Sequence, residues 1–163
     1  MERLGKMEKL DKIESTKWIP ITDLEGWTDM IGNPLDEFYT ASNTKHKQIF
    51  DYAPTYIKDF AQENFSLYAC SVIQQLPGNF IPMHYDTYEY FMDQNNINDI
   101  SQVIRYNFFL EDWKPGHWFD VDDTPVLNWC AGEYLKFDHT IIHGSANAGR
   151  QPKYTCQITG ILK

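Results

Sequence analysis

Val103-Ile104-Arg105-Tyr106-Asn107-Phe108-Phe109-Leu110 is the stretch that sets the architecture. Its aromatic and β-branched residues favour a strand, and successive side chains of a strand point to opposite faces. The even positions, Ile104, Tyr106, Phe108 and Leu110, form an apolar face, whereas Arg105 and Asn107 stand on the other. Turned outward, Arg105 would sit on a solvated face. Turned inward, it needs an anionic or carbonyl partner, and a carboxylate bound bidentately would serve. The last stretch of the chain divides in the same way: Lys153, Thr155, Gln157 and Thr159 share one face, and Tyr154, Cys156 and Ile158 the other. A barrel with a polar inner face holds a binding cavity rather than a packed core.

Outward from this strand, Ser66–Gln75, His117–Val121, Val126–Trp129, Glu133–Phe137 and Tyr154–Ile161 read as further strands. Pro77-Gly78, Pro115-Gly116 and Asp122-Asp123-Thr124-Pro125 mark turns between them, with Gly132 and Gly144 at corners. Short strands at close intervals predict a sandwich or barrel. Ahead of them, residues 43–64 carry Ile49, Phe50, Ala53, Ile57, Phe60 and Ala61 at helical spacing, with Pro54 opening a second helical piece. Residues 23–31 read as a loop or one helical turn, Gly32-Asn33-Pro34 as a break, and Trp18-Ile19-Pro20-Ile21 as a brief extended segment. Met1–Lys17 reads as a short helix or a frayed terminus. The expectation is one domain over residues 1–163, with a mostly helical or irregular layer to about residue 64 packed outside a β core.

The chain has 163 residues and a net charge of −9, which speaks against a nucleic-acid partner, since phosphate binding needs clustered Lys and Arg. Aromatic residues make up 15%, enough to fill a core and also line a pocket. Cys70, Cys130 and Cys156 show no CxxC spacing and an odd count, so neither a disulfide framework nor a zinc-thiolate site is expected. Met1–Lys12 lacks the apolar core of a signal peptide, and no apolar run reaches the length of a membrane span. A cytoplasmic protein with no membrane partner is the expectation.

Leu76-Pro77-Gly78-Asn79-Phe80-Ile81-Pro82-Met83-His84-Tyr85-Asp86 ends in His-x-Asp. On an extended backbone His84 and Asp86 reach one point together. Such a pair supplies two ligands of the facial set of two histidines and one carboxylate. The third ligand falls to His143 or His139, and the β-branched run Thr140-Ile141-Ile142 puts both on one face of a strand. Arg150 and Lys153 can each supply a cation for a carboxylate. Tyr85, Tyr88, Trp113 and Trp118 are pocket-wall candidates, and His117 a substrate-contact candidate.

Taken in order, these pieces resemble the aspartyl/asparaginyl β-hydroxylase-like branch of the Fe(II)/2-oxoglutarate-dependent oxygenases. The matching features are Pro77-Gly78 before His84, Ile104-Arg105-Tyr106-Asn107, Trp129 with Gly132-Glu133, Phe137-Asp138 ahead of His143, Asn147 after it, and Lys153 opening the final strand. The resemblance spans about residues 76–162. It implies a mainly β fold, a double-stranded β-helix (jelly roll, cupin-like) over about residues 65–163, with the N-terminal helices outside. It also selects His143 over His139, implying that His84, Asp86 and His143 hold Fe(II). Arg105 and Lys153, with Asn107 nearby, would hold 2-oxoglutarate, and Arg150 is the rival of Lys153. The implied reaction uses O2 to hydroxylate a C–H bond of an amino-acid-like small molecule or a peptide side chain, with 2-oxoglutarate going to succinate and CO2. Two departures stand out: animal members of the branch lack the carboxylate that Asp86 provides, and the final-strand cation is usually Arg. The alternatives are a non-catalytic cupin-like metal- or ligand-binding module, whose His-x-Asp is incidental or binds a metal without turnover, and a metal-dependent cupin enzyme needing no cosubstrate.

Overall fold

The computed structural model describes residues 11–12, 25–31 and 45–163. In chain order these form β1 (Asp11–Lys12), β2 (Thr28–Ile31), β3 (Lys45–Phe50), α1 (Thr55–Asn64), β4 (Phe65–Gln75), β5 (Phe80–His84) and α2 (Glu89–Asn95). After a 3-10 turn at Ile100–Gln102 come β6 (Ile104–Phe109), β7 (His117–Val121), β8 (Thr124–Val126), β9 (Glu133–Phe137), β10 (His143–Asn147) and β11 (Lys153–Leu162). The expectations for Met1–Lys17, apart from the backbone of β1, for Trp18–Ile21 and for Gly32-Asn33-Pro34 lie outside the described residues.

All strand pairs are antiparallel, and the sheet curls in the order β1-β9-β6-β11-β4-β3-β5-β10-β7-β8, with β2 on the side of β3. Among the described residues the larger half, β9-β6-β11-β4-β3, meets the smaller half, β5-β10-β7-β8, through the pair Lys45↔Phe80. The predicted β class and double-stranded β-helix are what the chain adopts.

Alternation explains how each half faces its surroundings. Tyr106, Phe108, Cys156 and Ile158 turn outward and are buried under Ile57 and Ala61 of α1. This helix begins after Pro54, whose carbonyl accepts from the N–H groups of Ile57 and Lys58 (2.9 and 3.0 Å). Phe109, Phe119, Val121, Trp129, Leu135 and Phe137 pack as one buried cluster. There Phe109 stacks on Trp129 with centroids 4.1 Å apart. Two residues in the left-handed region, Asp122 and Asp123 (φ 51° and 58°), make the tight β7–β8 turn. Among the described residues, no helix is long and apolar enough to cross a membrane.

Several local expectations change. Residues 45–50 form a strand, not the first piece of a helix, because they fill the gap between β4 and β5, with Ile49 opposite Val72. Thr28–Ile31 is the short strand that edges β3, neither a loop nor a helical turn. The strand read at Val126–Trp129 instead spans Thr124–Val126, and Asn128 (φ 57°) turns the chain away before Trp129. Thr140-Ile141-Ile142 is a turn, not a strand: the Asp138 carboxylate accepts from both the N–H and the hydroxyl of Thr140 (2.8 and 2.6 Å), and β10 begins only at His143. Gly144 lies within β10 rather than at a corner.

Candidate metal centre

The site lies where β5 ends and β10 begins. His84 and His143 are direct partners across these strands, with ring centroids 4.4 Å apart. The strands approach closely here: a Cβ on Gly144 would stand 2.8 Å from Met83 Sδ and 3.0 Å from its nitrogen. Each ring is held by its own backbone. His84 Nδ1–H donates to the Pro82 carbonyl (2.7 Å) and His143 Nδ1–H to that of Ile141 (3.1 Å). Both Nε2 atoms therefore turn to the same place, as in histidine ligands oriented by an outer hydrogen bond. Asp86 meets them there, with Oδ1 3.7 Å from His84 Nε2 and Oδ2 3.5 Å from His143 Nε2. One ligand atom from each residue lies within 4.8 Å of the others.

The electrostatics of the three groups suit a cation. Burial pushes the Asp86 carboxyl up, but Arg105, contact with His84 and the charges of both histidines outweigh it and hold the group well below the usual carboxylate range. Burial lowers the His143 pKa to about 4, against the pull of Asp86, so the ring is neutral at pH 7. With its proton on Nδ1, its Nε2 lone pair faces a buried carboxylate oxygen that has no hydrogen-bond partner. Lone pair facing anion is unfavourable in a low-dielectric interior unless a positive ion lies between them. Two imidazole nitrogens and one carboxylate also form the donor set of the facial triad. The residues present therefore fit a divalent metal such as Fe(II).

A cavity of about 260 Å³ opens beside these groups, lined among others by His46, Gln48, Ile73, Arg105, Asn107 and Gln157. Arg105 and Asn107 are turned inward, toward the smaller half of the sheet. Arg105 Nη1 lies 3.4 Å from Asp86 Oδ2 and donates to Gln157 Oε1, and its guanidinium covers the Tyr88 ring at 5.2 Å. The amide nitrogen of Asn107 is buried without a hydrogen-bond partner. A second lobe shares Gln48, Asp86, Arg105 and Gln157 with the first and is lined also by Tyr88.

Lys153 is buried to 2% exposure, with Nζ donating to Gln75 Oε1 (3.0 Å) and the Trp118 carbonyl (2.6 Å) between the Phe119 and Trp129 rings. It stands behind Ser145 and Phe119 of the cavity wall, and Ser145 shares Gln75 with it (3.1 Å). Burial lowers its pKa to about 7, and among the described residues no carboxylate lies within ion-pair distance. Arg150 is exposed on the β10–β11 loop, in a different cleft with Lys114 and Gly116. His117 is also turned away from the triad: it is buried with Nε2–H donating to the Gln151 carbonyl (3.0 Å). Trp118 is 44% exposed, on the face of β7 opposite Phe119, and Tyr85 is 54% exposed. His139 stands in the turn before β10, outside the three-ligand group.

Sequence reasoning passed over His46, Gln48, Ser71, Gln75 and Ser145. Three of these belong to one chain: His46 Nε2–H donates to Gln48 Oε1 (3.3 Å), and Gln48 Nε2 donates to Ser71 Oγ (2.7 Å). The alternation of Lys45-His46-Lys47-Gln48 carried the signal, but with polar residues inward.

A scan of family models finds no match, and neither does a search of curated proteins. Solved structures do match. SnoN, a non-heme alpha ketoglutarate dependent epimerase from nogalamycin biosynthesis, aligns with TM-score 0.53 and 10% identity over 71% of this chain and 61% of that one. A Pseudomonas putida prolyl-4-hydroxylase aligns with TM-score 0.52 and 15% identity over 72% and 70%. A protein from Thermotoga maritima described as a predicted oxalate decarboxylase gives TM-score 0.50 and 13% identity over 83% and 92%. At such identities the likeness is one of fold, a cupin-like double-stranded β-helix.

Proposed function

We propose that this chain is a non-haem Fe(II)- and 2-oxoglutarate-dependent dioxygenase that hydroxylates a C–H bond of an amino-acid-like small molecule or a peptide side chain. The observation that carries the reading is the convergence of His84 Nε2, His143 Nε2 and the Asp86 carboxylate, with both Nδ1 protons held by backbone carbonyls. The residue pattern Pro77-Gly78, Arg105, Phe137-Asp138 and Lys153 favours the aspartyl/asparaginyl β-hydroxylase-like branch. A prolyl-4-hydroxylase and an alpha ketoglutarate dependent epimerase share the fold, although a fold alone does not choose a chemistry.

His84, Asp86 and His143 would hold the iron, which when bound supplies C–H oxidation coupled to decarboxylation of 2-oxoglutarate with O2. The backbone carbonyls of Pro82 and Ile141 keep each imidazole proton on Nδ1, so that Nε2 is the ligating atom. Arg105 keeps Asp86 ionised. Phe119, Phe137, Ile73 and Ile81 keep that side of the cavity apolar and dry. Since the Arg105 charge is already met by Asp86, Lys153 is the cation for the far carboxylate of 2-oxoglutarate, and Asn107 offers an amide donor on the wall.

The test is anaerobic titration with Fe(II) and 2-oxoglutarate, following the weak visible charge-transfer band of the chelate. The band should form in the wild type and disappear in His143→Ala. Failure to bind iron would overturn the reading. A second reading, a cupin-like metal-binding module without 2-oxoglutarate, is favoured by one observation: Lys153 stands behind the cavity wall rather than on it. Iron binding without the band would select it.

A further inference from the structure

Arg105 poses a problem for the three-ligand site. A guanidinium beside a buried carboxylate normally closes on it with two parallel hydrogen bonds, and a carboxylate so engaged is a poor metal ligand. Here the closure has not happened. Arg105 Nη1 stops 3.4 Å from Asp86 Oδ2, and that oxygen has no hydrogen-bond partner. Two contacts hold the guanidinium back: Nη1 donates to Gln157 Oε1, and the group lies over the Tyr88 ring.

Gln157 is in turn fixed. Because an arginine can only donate, Gln157 must present its oxygen to Arg105 and its nitrogen to Ser71. That nitrogen donates to Ser71 Oγ (3.0 Å), which also accepts from Gln48 Nε2 (2.7 Å), and Gln48 Oε1 accepts from His46 (3.3 Å). The chain crosses β11, β4 and β3, three neighbouring strands of the larger half. Gln157 faces Ser71 directly across one strand pair and Asn107 across the other.

We infer that Gln157, braced by Ser71 and Gln48, is a positioning residue for the metal site: it holds Arg105 off the Asp86 oxygens, leaving the carboxylate for the metal. The inference rests on the metal reading of His84, Asp86 and His143. Without Gln157, Arg105 swings onto Asp86 and competes with the metal for the same lone pairs. Removing an outer partner of this kind costs about 10- to 100-fold in metal affinity.

The probe is Co(II) alone, under nitrogen, titrated by its visible d–d absorption. Gln157→Leu should weaken Co(II) binding by at least about tenfold. The same substitution in an Arg105→Met background should change the affinity by less than about twofold, because nothing remains to be held back. Gln157→Glu offers Arg105 a carboxylate of its own and should bind Co(II) within about threefold of the wild type. Equal loss in the Arg105 and Arg105→Met backgrounds, as damage to the fold would give, overturns the positioning role, and so does wild-type affinity in Gln157→Leu. Failure of the wild type to bind Co(II) overturns the metal reading itself and this inference with it.

Discussion

Lys153→Met tests whether the buried ammonium is a cation awaiting an anion or a structural strut. Burial lowers the folded-state pKa to about 7, from 10.5. Between those values the unfolded chain keeps a proton that the folded chain has released, so stability rises as pH goes from about 7 to about 10.5. At about 1.36 kcal/mol per unit, a drop of about 3.5 units is worth about 4 to 5 kcal/mol over that window. This is an upper figure, since the bonds to Gln75 and the Trp118 carbonyl favour the charged form. Methionine keeps a long apolar stem between Phe119 and Trp129. Gln75 Oε1 keeps its bond from Ser145. The assay is urea unfolding at steps from pH 7 to 10. The variant should be at least as stable as the wild type at pH 7, and the wild type should gain on it as pH rises. Added 2-oxoglutarate with Mn(II) should raise the unfolding midpoint of the wild type only. A variant destabilised by more than about 2 kcal/mol at pH 7, with a pH profile parallel to the wild type, would make Lys153 a hydrogen-bonded strut and refute the reasoning.

Arg150→Ala should leave 2-oxoglutarate binding within about twofold of the wild type by the charge-transfer titration, because Arg150 lies in another cleft. Gly144→Ala should cost about 1 to 3 kcal/mol in chemical denaturation. It should also weaken Co(II) binding, since the new Cβ pushes on Met83, the neighbour of His84. Phe109→Ala removes a fully buried ring stacked on Trp129 and should cost about 3 to 5 kcal/mol by the same measurement.

The parts of the fold that could be read ahead were those where polarity alternates with a regular sense. Ile104, Tyr106, Phe108, Cys156 and Ile158 pack with α1 while Arg105, Asn107, Thr155 and Gln157 line the cavity, and both stretches are strands. β3 escaped because its sense is opposite to the usual one. His46 and Gln48 are its buried residues, while Phe50 is exposed. Its apolar residues also continued, by helical spacing, into α1. Its partners lie far along the chain, and such pairing overrides local preference. The start of β10 depended on the Asp138 side chain, which ends the preceding turn. His84, Asp86 and His143 were legible as residue types, yet the orientation of each ring depends on a backbone carbonyl that a sequence does not display. The charge of Lys153 was plain, but its depth was not.

The division of the curled sheet into two leaves bears on how the site could breathe. The three candidate ligands follow or belong to strands of the smaller leaf, whereas Arg105, Asn107 and Gln157 stand on the larger one. At the Lys153 end the leaves are laced together by side chains: Lys153 to the Trp118 carbonyl, Gln75 to Ser145, and Asn147 to the Gln75 carbonyl. The one backbone pair between the leaves among the described residues, Lys45↔Phe80, lies at this same end, since Lys47 faces Gln74 and Phe80 faces Ala146. A wedge-like opening would therefore pivot near Gln75 and widen at the mouth. It would lengthen the Arg105–Asp86 gap and enlarge the cavity while His84 and His143, paired within one leaf, keep their register. Admission of a bulky molecule and retention of a metal ion are thus mechanically separable in this molecule.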